Sequence, residues 1–374
     1  MRVLILTGRF GQGHISCARA IAQQLGRSTP EAQVEVVDFI SEALGSDALY
    51  RAFELLVRRG ESVFNRLYNR SESGADKFGV PMQRFCFAAL SRILARHRPD
   101  VVISTLPLTT QLAGAYKQAG RGAYTLVVAI TDTFPHGDWV TPAADAYLVP
   151  ASETRNALLD MGVPDASISV SGMPLHPDFH PGEPKAEGGL RRLLVLGGGL
   201  GLLPEDMDFY RQLDALEGVR TTVVCGRNTH LLEQLAGRFA HIEAVGFVDD
   251  MPARMGAAHL ALGKPGGITL FEAIACRLPL LSVKPFLGPE HHNARFIAAH
   301  GIGAVLEDAV ESSVPTIASL LQDDIRLADM QAAMATLDAG ADKTALEDLL
   351  QHTTQAIAQL PALALVRTIL ERRR

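Results

Sequence analysis

The chain has 374 residues, a formal net charge of −6 at pH 7 and a hydrophobic content of 47%. This length suggests two domains, and the apolar fraction is large enough for each domain to bury its own core. No apolar run reaches the roughly 18 residues of a membrane-spanning helix, and the N-terminus lacks the pattern of a signal peptide. We therefore expect a cytoplasmic protein, and the acidic net charge argues against a nucleic-acid partner.

The cysteines exclude two further classes of protein. Cys17, Cys86, Cys225 and Cys276 are scattered along the chain, and none belongs to a CxxC pair. The spacing therefore argues against a zinc site and against a disulfide framework. We interpret these residues as small buried hydrophobic side chains.

The first half of the chain alternates between apolar runs and helical patterns. A first strand is predicted at residues 3–6, and it leads through a glycine-rich turn into a helix that extends to Leu25. Later apolar runs predict strands at residues 34–37, 101–104, 124–130 and 146–149. Strands separated by helices are typical of βαβ units, whose strands lie parallel in one sheet.

The second half repeats this pattern after a linker rich in proline, glycine and charge at residues 172–189. A strand at 193–196 precedes a glycine-rich turn and a helix from about Pro204, and further strands are predicted at 221–225, 243–245, 260–262 and 280–283. We therefore predict an α/β protein of two facing Rossmann-like domains with parallel sheets. Their expected bounds are residues 1–180 and 181–360, and residues 361–374 are expected to form a helix across the junction.

Glycine-rich turns between a strand and a helix are candidate phosphate sites, because backbone N–H groups at a helix N-terminus attract anions. The turn at residues 197–201, with Gly198 and Gly199, is a weak signal by itself. Glu217 lies about 20 residues on, but it falls in a loop before the next strand and not at the position that a dinucleotide fold uses for the ribose. A sharp turn without a ligand is the alternative interpretation.

The turn at residues 263–267 is more specific. Gly266 and Gly267 open a helix, so Ile268 and Thr269 offer free N–H groups and a hydroxyl to a diphosphate. Glu272 follows one turn later, where its carboxylate can accept both hydroxyls of a ribose. A buried structural glutamate is the alternative for Glu272.

Several motifs, in order along the chain, resemble those of the diacylglycerol glycosyltransferases. That family contains the processive bacterial diacylglycerol glucosyltransferases and the plant monogalactosyldiacylglycerol synthases. The matching stretches are Gly11-Gln12-Gly13-His14, residues 49–69, 98–103, 131–139 with Thr131, Asp132, His136 and Trp139, 168–179, 224–228, 246–251 and 263–305. The resemblance extends over nearly the whole chain.

This resemblance implies a GT-B fold, with the active site in the cleft between two Rossmann-like domains. It also implies a sugar donor activated by UDP. The residues that it places around the donor are Phe247 and Met251 at the uracil, Gly198, Gly199, Arg227, Gly266, Gly267, Ile268 and Thr269 at the diphosphate, Glu272 at the ribose, and Glu290 and Asn293 at the sugar hydroxyls.

One departure from the family pattern leaves the sugar open. The usual Gly-Gln-Glu-x-x-Asn is here Gly288-Pro289-Glu290-His291-His292-Asn293, so proline replaces an amide that can bind sugar hydroxyls. Both UDP-glucose and UDP-galactose therefore stay possible donors. The adjacent histidines could contact the donor, whereas a metal site there lacks a matching set of carboxylates or cysteines.

His14 is the first candidate for the general base, because it lies at the end of the first strand and at the start of a helix. The positive end of that helix is expected to lower its pKa and keep the imidazole neutral. A purely structural histidine is the alternative. His136 competes for the role of base, and Asp132 could assist either histidine.

The implied reaction is a direct displacement at the anomeric carbon with inversion. Arg227 and helix N-termini would meet the negative charge on the departing UDP. These groups would take the place of a metal, so we expect neither a metal nor another cofactor.

Basic residues are concentrated between residues 50 and 98, where ten Lys or Arg stand against four Asp or Glu. Apolar residues alternate with them, as in helices that lie in a membrane interface with their arginines on anionic headgroups. The residues expected to contact the membrane and the diacylglycerol acceptor are Arg51, Arg58, Arg59, Phe64, Arg66 and Tyr68, and the same interpretation extends to the helix with Phe85, Leu90, Ile93 and Leu94. An ordinary amphipathic helix packed on the core is the alternative. We expect peripheral association with the inner face of the cell membrane.

Three other functions stay open at this point. One is the N-acetylglucosaminyltransferase of the lipid-linked peptidoglycan precursor, which shares the superfamily and the membrane. A UDP-sugar 2-epimerase has the same fold but needs no membrane segment. A nucleotide-binding relative without activity is the third, and the presence of His14 and Glu272 argues against it.

Overall fold

The computed structural model describes residues 1–10, 13–51, 80–183, 189–285 and 288–354. The described residues form two parallel sheets of six strands each. The strands of the first sheet are β1 Arg2–Thr7, β2 Gln33–Asp38, β3 Val101–Ser104, β4 Thr125–Ala129, β5 Ala146–Val149 and β6 Ile168–Val170. Their order across the sheet is β2-β1-β3-β4-β5-β6. The accompanying helices are α1 Gly13–Ser28, α2 Phe39–Leu44, α3 Val80–His97, α4 Pro107–Gln118 and α5 Ser152–Asp160.

The second sheet has its first strand near the centre. Its strands are β7 Arg191–Leu196, β8 Val219–Val224, β9 Ile242–Val245, β10 Leu260–Gly263, β11 Leu280–Ser282 and β12 Gly303–Val305. Their order is β12-β11-β10-β7-β8-β9, the doubly wound arrangement in which a ligand binds where the chain changes direction. The helices of this half are α6 Met207–Asp214, α7 Thr229–Leu235, α8 Met251–Ala257, α9 Gly267–Cys276, α10 Gly288–His300, α11 Val314–Gln322 and α12 Asp324–Ala339.

Helices cover both faces of the first sheet, which is why its strands are apolar at consecutive positions. Ile5 of β1 points to one face and packs in the same cluster as Ile21 of α1. Leu4, on the opposite face, packs with Leu90 of α3. The cysteines are free, and all but Cys86 are buried, as the sequence predicts.

The fold prediction of two Rossmann-like halves in a GT-B arrangement is confirmed. Strands β6 and β12, of three residues each, are additional to those predicted. The helix expected from about Pro204 begins at Met207 instead, because the Asp206 side chain caps it by accepting from the Asp208 backbone N–H. The domain bounds stay a prediction, and residues 361–374 lie outside the described residues.

The membrane interpretation is wrong for the last part of the basic segment. In α3, Leu90, Ile93 and Leu94 are buried in the core of the first half. Arg96 forms an ion pair with Glu42, with 2.6 Å between Nη1 and Oε1. These side chains cover the sheet because a doubly wound sheet has two apolar faces to bury, so the alternative of an ordinary amphipathic helix holds here.

The chain returns to the first half well before residue 361. The Asp342 backbone N–H donates to the Val170 carbonyl oxygen at 2.8 Å. The following helical residues, 345–354, lie beside α1, where Gln24 Nε2 donates to Glu347 Oε1 at 2.7 Å. Leu346 and Leu350 are buried there. These contacts join the C-terminal helical residues to the first half.

Within the described ranges, no helix is both long enough and apolar enough to cross a bilayer.

Candidate active site

The carboxyl ends of parallel strands meet at one edge of a sheet, and in the first half this edge carries buried threonines. Thr7 ends β1, Thr105 follows β3 and Thr131 comes soon after β4. Thr105 Oγ1 lies 2.8 Å from Thr7 Oγ1 and 3.2 Å from the backbone oxygen of His14. The hydroxyls thus fix the start of α1, and with it His14, against the sheet edge.

His14 is the second residue of α1, and its side chain is held by a hydroxyl. Thr131 Oγ1 lies 3.0 Å from His14 Nδ1. Desolvation in the cleft lowers the pKa of His14 to about 4, and the neighbouring His136 adds to this effect. The expected direction of the pKa shift is therefore found, but burial is its main cause. The imidazole is neutral at pH 7 and able to accept a proton.

Asp132 and His136 lie close to His14, around the buried Trp139. The indole ring of Trp139 has its centroid 6.2 Å from that of His14 and 6.4 Å from that of His136. Burial raises the pKa of Asp132 to about 6, and the indole of Trp139 acts in the opposite direction. Of these neighbours, Thr131 and not Asp132 contacts the His14 ring nitrogen.

The facing edge of the second half is built from backbone. The loops after β7 and β8 touch each other, so that an added Cβ at Gly226 would lie only 2.3 Å from the Gly198 carbonyl oxygen. Gly226 also has φ of +53°, which favours glycine. The Arg227 backbone N–H donates to the Gly199 carbonyl oxygen at 3.2 Å. The structure thus brings Gly198, Gly199 and Arg227 together, as the sequence predicts for a diphosphate site.

The N-termini of α1 and α9 oppose each other across the cleft. An added Cβ at Gly267 would lie 2.5 Å from the Thr131 carbonyl oxygen. At Gly13 an added Cβ would lie 3.7 Å from Ile268 Cβ. Each helix directs its partial positive charge and its free N–H groups to this place, which therefore suits an anion.

Two acidic side chains line the donor half of the cleft. Glu272 projects from α9, and burial raises its pKa to about 8. Glu290, on α10, is buried with its Oε1 3.6 Å from Lys264 Nζ. Glu272 lies one turn behind Gly267, at the place expected of a group that binds the ribose.

The remaining donor candidates have different surroundings. Phe247 is 60% exposed in the loop that precedes α8, and Met251 is the first residue of that helix. Such an exposed aromatic ring has a free face for a base. Asn293 is buried instead, and its amide contacts the other half of the molecule.

Two known families match this chain. The profile of the monogalactosyldiacylglycerol (MGDG) synthase family matches residues 14–175. The profile of the glycosyltransferase family 28 C-terminal domain matches residues 204–350. The processive diacylglycerol beta-glucosyltransferase of Bacillus subtilis is 27% identical over 379 residues, which cover 96% of this chain and 98% of that protein.

Over nearly its whole length the chain is similar to the diacylglycerol glycosyltransferases.

Solved structures agree with the GT-B fold. MurG of Acinetobacter baumannii superposes with a TM-score of 0.63 at 16% identity, over 95% of this chain and 99% of that chain. HepE of Anabaena, solved in complex with UDP-glucose, gives a TM-score of 0.56 at 14% identity, over 95% and 100% of the two chains. At these identities the likeness shows the fold alone, and both halves of the chain contribute to it.

Some predicted site residues lie outside the described ranges. They are Arg58, Arg59, Phe64, Arg66 and Tyr68 of the membrane segment, and Gly11 and Gln12 of the first turn. Arg51 is described and is exposed. The proposed roles of these residues stay predictions.

Sequence reasoning gave no role to Thr131, Thr133 or Phe134, which make contacts in the cleft. Each follows β4 within five residues, and the first two are buried hydroxyl side chains. A run of threonines at a strand end is the signal that could have identified them. Their partners, however, lie on α1 and α10, which no spacing along the chain reveals.

Proposed function

We propose that the protein transfers a hexose, glucose or galactose, from a UDP-sugar to diacylglycerol or a glycosyl-diacylglycerol, with inversion and without a metal ion. The observation that carries this proposal is the pair of opposed helix N-termini at Gly13 and Gly267, with His14 on one side of the gap. Similarity to the diacylglycerol glycosyltransferases supports the acceptor class. A UDP donor fits the glycine loops of the second half.

In the proposed reaction, His14 acts as the general base. With the Nδ1 proton directed at Thr131 Oγ1, Nε2 keeps a lone pair for the acceptor hydroxyl. As the proton of the acceptor hydroxyl moves to Nε2 of His14, the acceptor oxygen bonds to the anomeric carbon from the face opposite UDP. The bond from carbon to the β-phosphate oxygen breaks, its electron pair leaves with UDP, and the configuration inverts.

Fixed positive groups stabilise the negative charge of the departing UDP. The N-terminus of α9 offers the N–H groups of Ile268 and Thr269, and Arg227 lies in the loop that contacts Gly199. Such preorganised donors stabilise developing charge without a metal. The diphosphate would also raise the low pKa of His14, because a nearby anion favours the imidazolium. Bound donor therefore makes His14 a stronger base.

The acceptor would enter beside the described residues that flank the segment 52–79. The described residues on either side of that segment include exposed apolar side chains, with Leu49 at 42% and Phe85 at 41% exposure. Arg51 and Arg84 are exposed next to them. Apolar and basic groups together favour an anionic bilayer surface, so we place the enzyme peripherally on the inner face of the cell membrane.

The test is a transfer assay with diacylglycerol liposomes and either UDP-glucose or UDP-galactose. We expect a glycolipid with one of the two donors, in the β configuration when the donor is α-linked, and equal rates with and without EDTA. The absence of a glycolipid with both donors would refute the proposal. Loss of activity with EDTA would refute the metal-free step alone.

A further inference from the structure

We propose that Asn293 and Thr133 form a positioning pair that sets the distance between the base and the donor-binding helix. This inference deepens the proposed function and rests on it for its kinetic consequences. Asn293 lies on α10 of the second half, whereas Thr133 follows β4 of the first half. Their contact therefore crosses the cleft.

Both ends of the Asn293 amide are engaged with protein groups. Thr133 Oγ1 donates to Asn293 Oδ1 at 2.6 Å. Asn293 Nδ2 donates to the Pro265 backbone oxygen at 2.8 Å. Asn293 is 2% exposed and Thr133 is 3% exposed, so water does not compete with these bonds. Loss of either bond leaves a buried polar group without its partner.

The three linked residues, Thr133, Asn293 and Pro265, lie directly beside the proposed reacting groups. Pro265 precedes Gly267, the first residue of α9, by two positions. Thr133 follows Thr131, the partner of His14 Nδ1, by two positions. A single amide thus fixes both the diphosphate-binding helix and the hydroxyl that orients the base. Catalysis requires such atoms to be held within a fraction of an ångström.

A neighbouring contact reinforces this pair. Phe134 and His292 stack across the cleft, with ring centroids 4.3 Å apart and an angle of 6° between the ring planes. These two residues are the chain neighbours of Thr133 and Asn293. On the first-half side, Thr154 Oγ1 donates to the Thr133 carbonyl oxygen at 2.7 Å. We call the four residues Thr133, Phe134, His292 and Asn293 the clasp.

The clasp changes the interpretation of the motif at residues 288–293. The sequence comparison places Asn293 at the sugar hydroxyls, but its amide oxygen and nitrogen bind Thr133 and Pro265. His292, unusual at its position, has its ring face covered by Phe134. We therefore assign to both side chains a part in holding the two halves at a fixed separation.

A double-mutant cycle tests this inference. Thr133→Val removes the hydroxyl but keeps the shape, and Asn293→Leu removes the amide. We expect each change to lower kcat about tenfold, with little change in the KM for the UDP-sugar. The double variant should lose no more than Asn293→Leu alone, because both changes break the bond between Thr133 and Asn293 and only Asn293→Leu also breaks the bond to Pro265. Thr133→Ser, which keeps the hydroxyl, should restore most of the activity lost in Thr133→Val.

Independent effects of the two changes would overturn the inference. If Asn293 reads the sugar, Thr133→Val leaves kcat intact, and Asn293→Leu changes the preference between UDP-glucose and UDP-galactose. Arg295→Ala is the matched control, because Arg295 is exposed on the same helix.

A second measurement does not depend on turnover. Hydrogen exchange should accelerate at residues 131–134 and 265–269 in both single variants and remain unchanged in the control. If the wild-type protein forms no glycolipid, the proposed function fails, yet this exchange pattern still decides whether the pair holds the halves together. Unchanged exchange in both variants would refute the pair.

Discussion

The two sides of the cleft are built in different ways. On the side of the base, side chains bond to side chains, as Thr105 does with Thr7 and Thr131 with His14. On the donor side, backbone approaches backbone, and an added Cβ at Gly201 would lie 2.0 Å from the Cys225 carbonyl oxygen. Both sides follow the carboxyl ends of parallel strands, so the fold itself does not explain the contrast.

The chemistry of each side explains it. A general base needs one ring nitrogen bonded and the other free, and here the Thr131 hydroxyl provides the bonded partner. A diphosphate needs several N–H groups at close range, and these are reached only where side chains are absent. Changes on the base side should therefore affect turnover, and changes on the donor side should affect UDP binding.

The largest expected effect is that of His14→Ala. Removal of a general base lowers a rate by roughly 10²- to 10⁴-fold, whereas the affinity for UDP should stay within about twofold. Single-turnover transfer and UDP titration calorimetry measure the two quantities on the same preparation. Weakened UDP binding with normal turnover at saturation would show that His14 belongs to the binding side, and the contrast would fail.

Gly267→Ala should have the next largest effect, and it should change both turnover and UDP binding. The new Cβ would meet the Thr131 carbonyl oxygen at 2.5 Å, so α9 and the first half must separate. We expect UDP to bind about tenfold more weakly, which corresponds to about 1.4 kcal/mol of binding free energy. We expect transfer to fall roughly a hundredfold. Titration calorimetry and the transfer assay measure these changes.

Gly26→Ala is the matched control for that variant. Gly26 lies in α1, with no atom within 4 Å of an added Cβ. Alanine there should leave transfer unchanged and stabilise the helix by up to about 1 kcal/mol. Wild-type transfer in Gly267→Ala would mean that the cleft opens wider during the reaction than the structure shows.

The same contrast explains which parts could be predicted from the sequence. Glycine turns between a strand and a helix leave a local pattern, so the donor loops with Gly198 and Gly267 were found from spacing. The positions of buried strands likewise follow from continuous apolar runs. The partners of Thr133 and Phe134 left no such pattern, because they lie about 160 residues away on α10. Leu90 of α3 was misassigned for a related reason, since an apolar helix face looks the same whether it meets a sheet or a bilayer.

Glu272 contributes a side chain to the donor side of the cleft, which is otherwise built from backbone. The effect predicted for this residue, on UDP binding, is the smallest. Burial raises its pKa to about 8, so the free protein holds a protonated carboxyl at pH 7. Ribose hydroxyls that donate to this group favour the carboxylate and lower its pKa. UDP binding at pH 7 should therefore release up to one proton. The affinity for UDP should rise with pH, by at most about tenfold per unit, until the pH passes 8.

Titration calorimetry between pH 7 and 9, in buffers of different ionisation enthalpy, measures this proton release. The range lies above the free-protein pKa values of His14, about 4, and Asp132, about 6, and the same titration of His14→Ala separates any proton that His14 takes up when bound diphosphate raises its pKa. It also lies above the last ionisation of a terminal phosphate, near about 6. Glu272→Gln should abolish the release and weaken UDP binding about tenfold. If the wild-type protein releases no proton, the carboxyl does not contact the ribose, and UDP is then held by backbone groups and Arg227 alone.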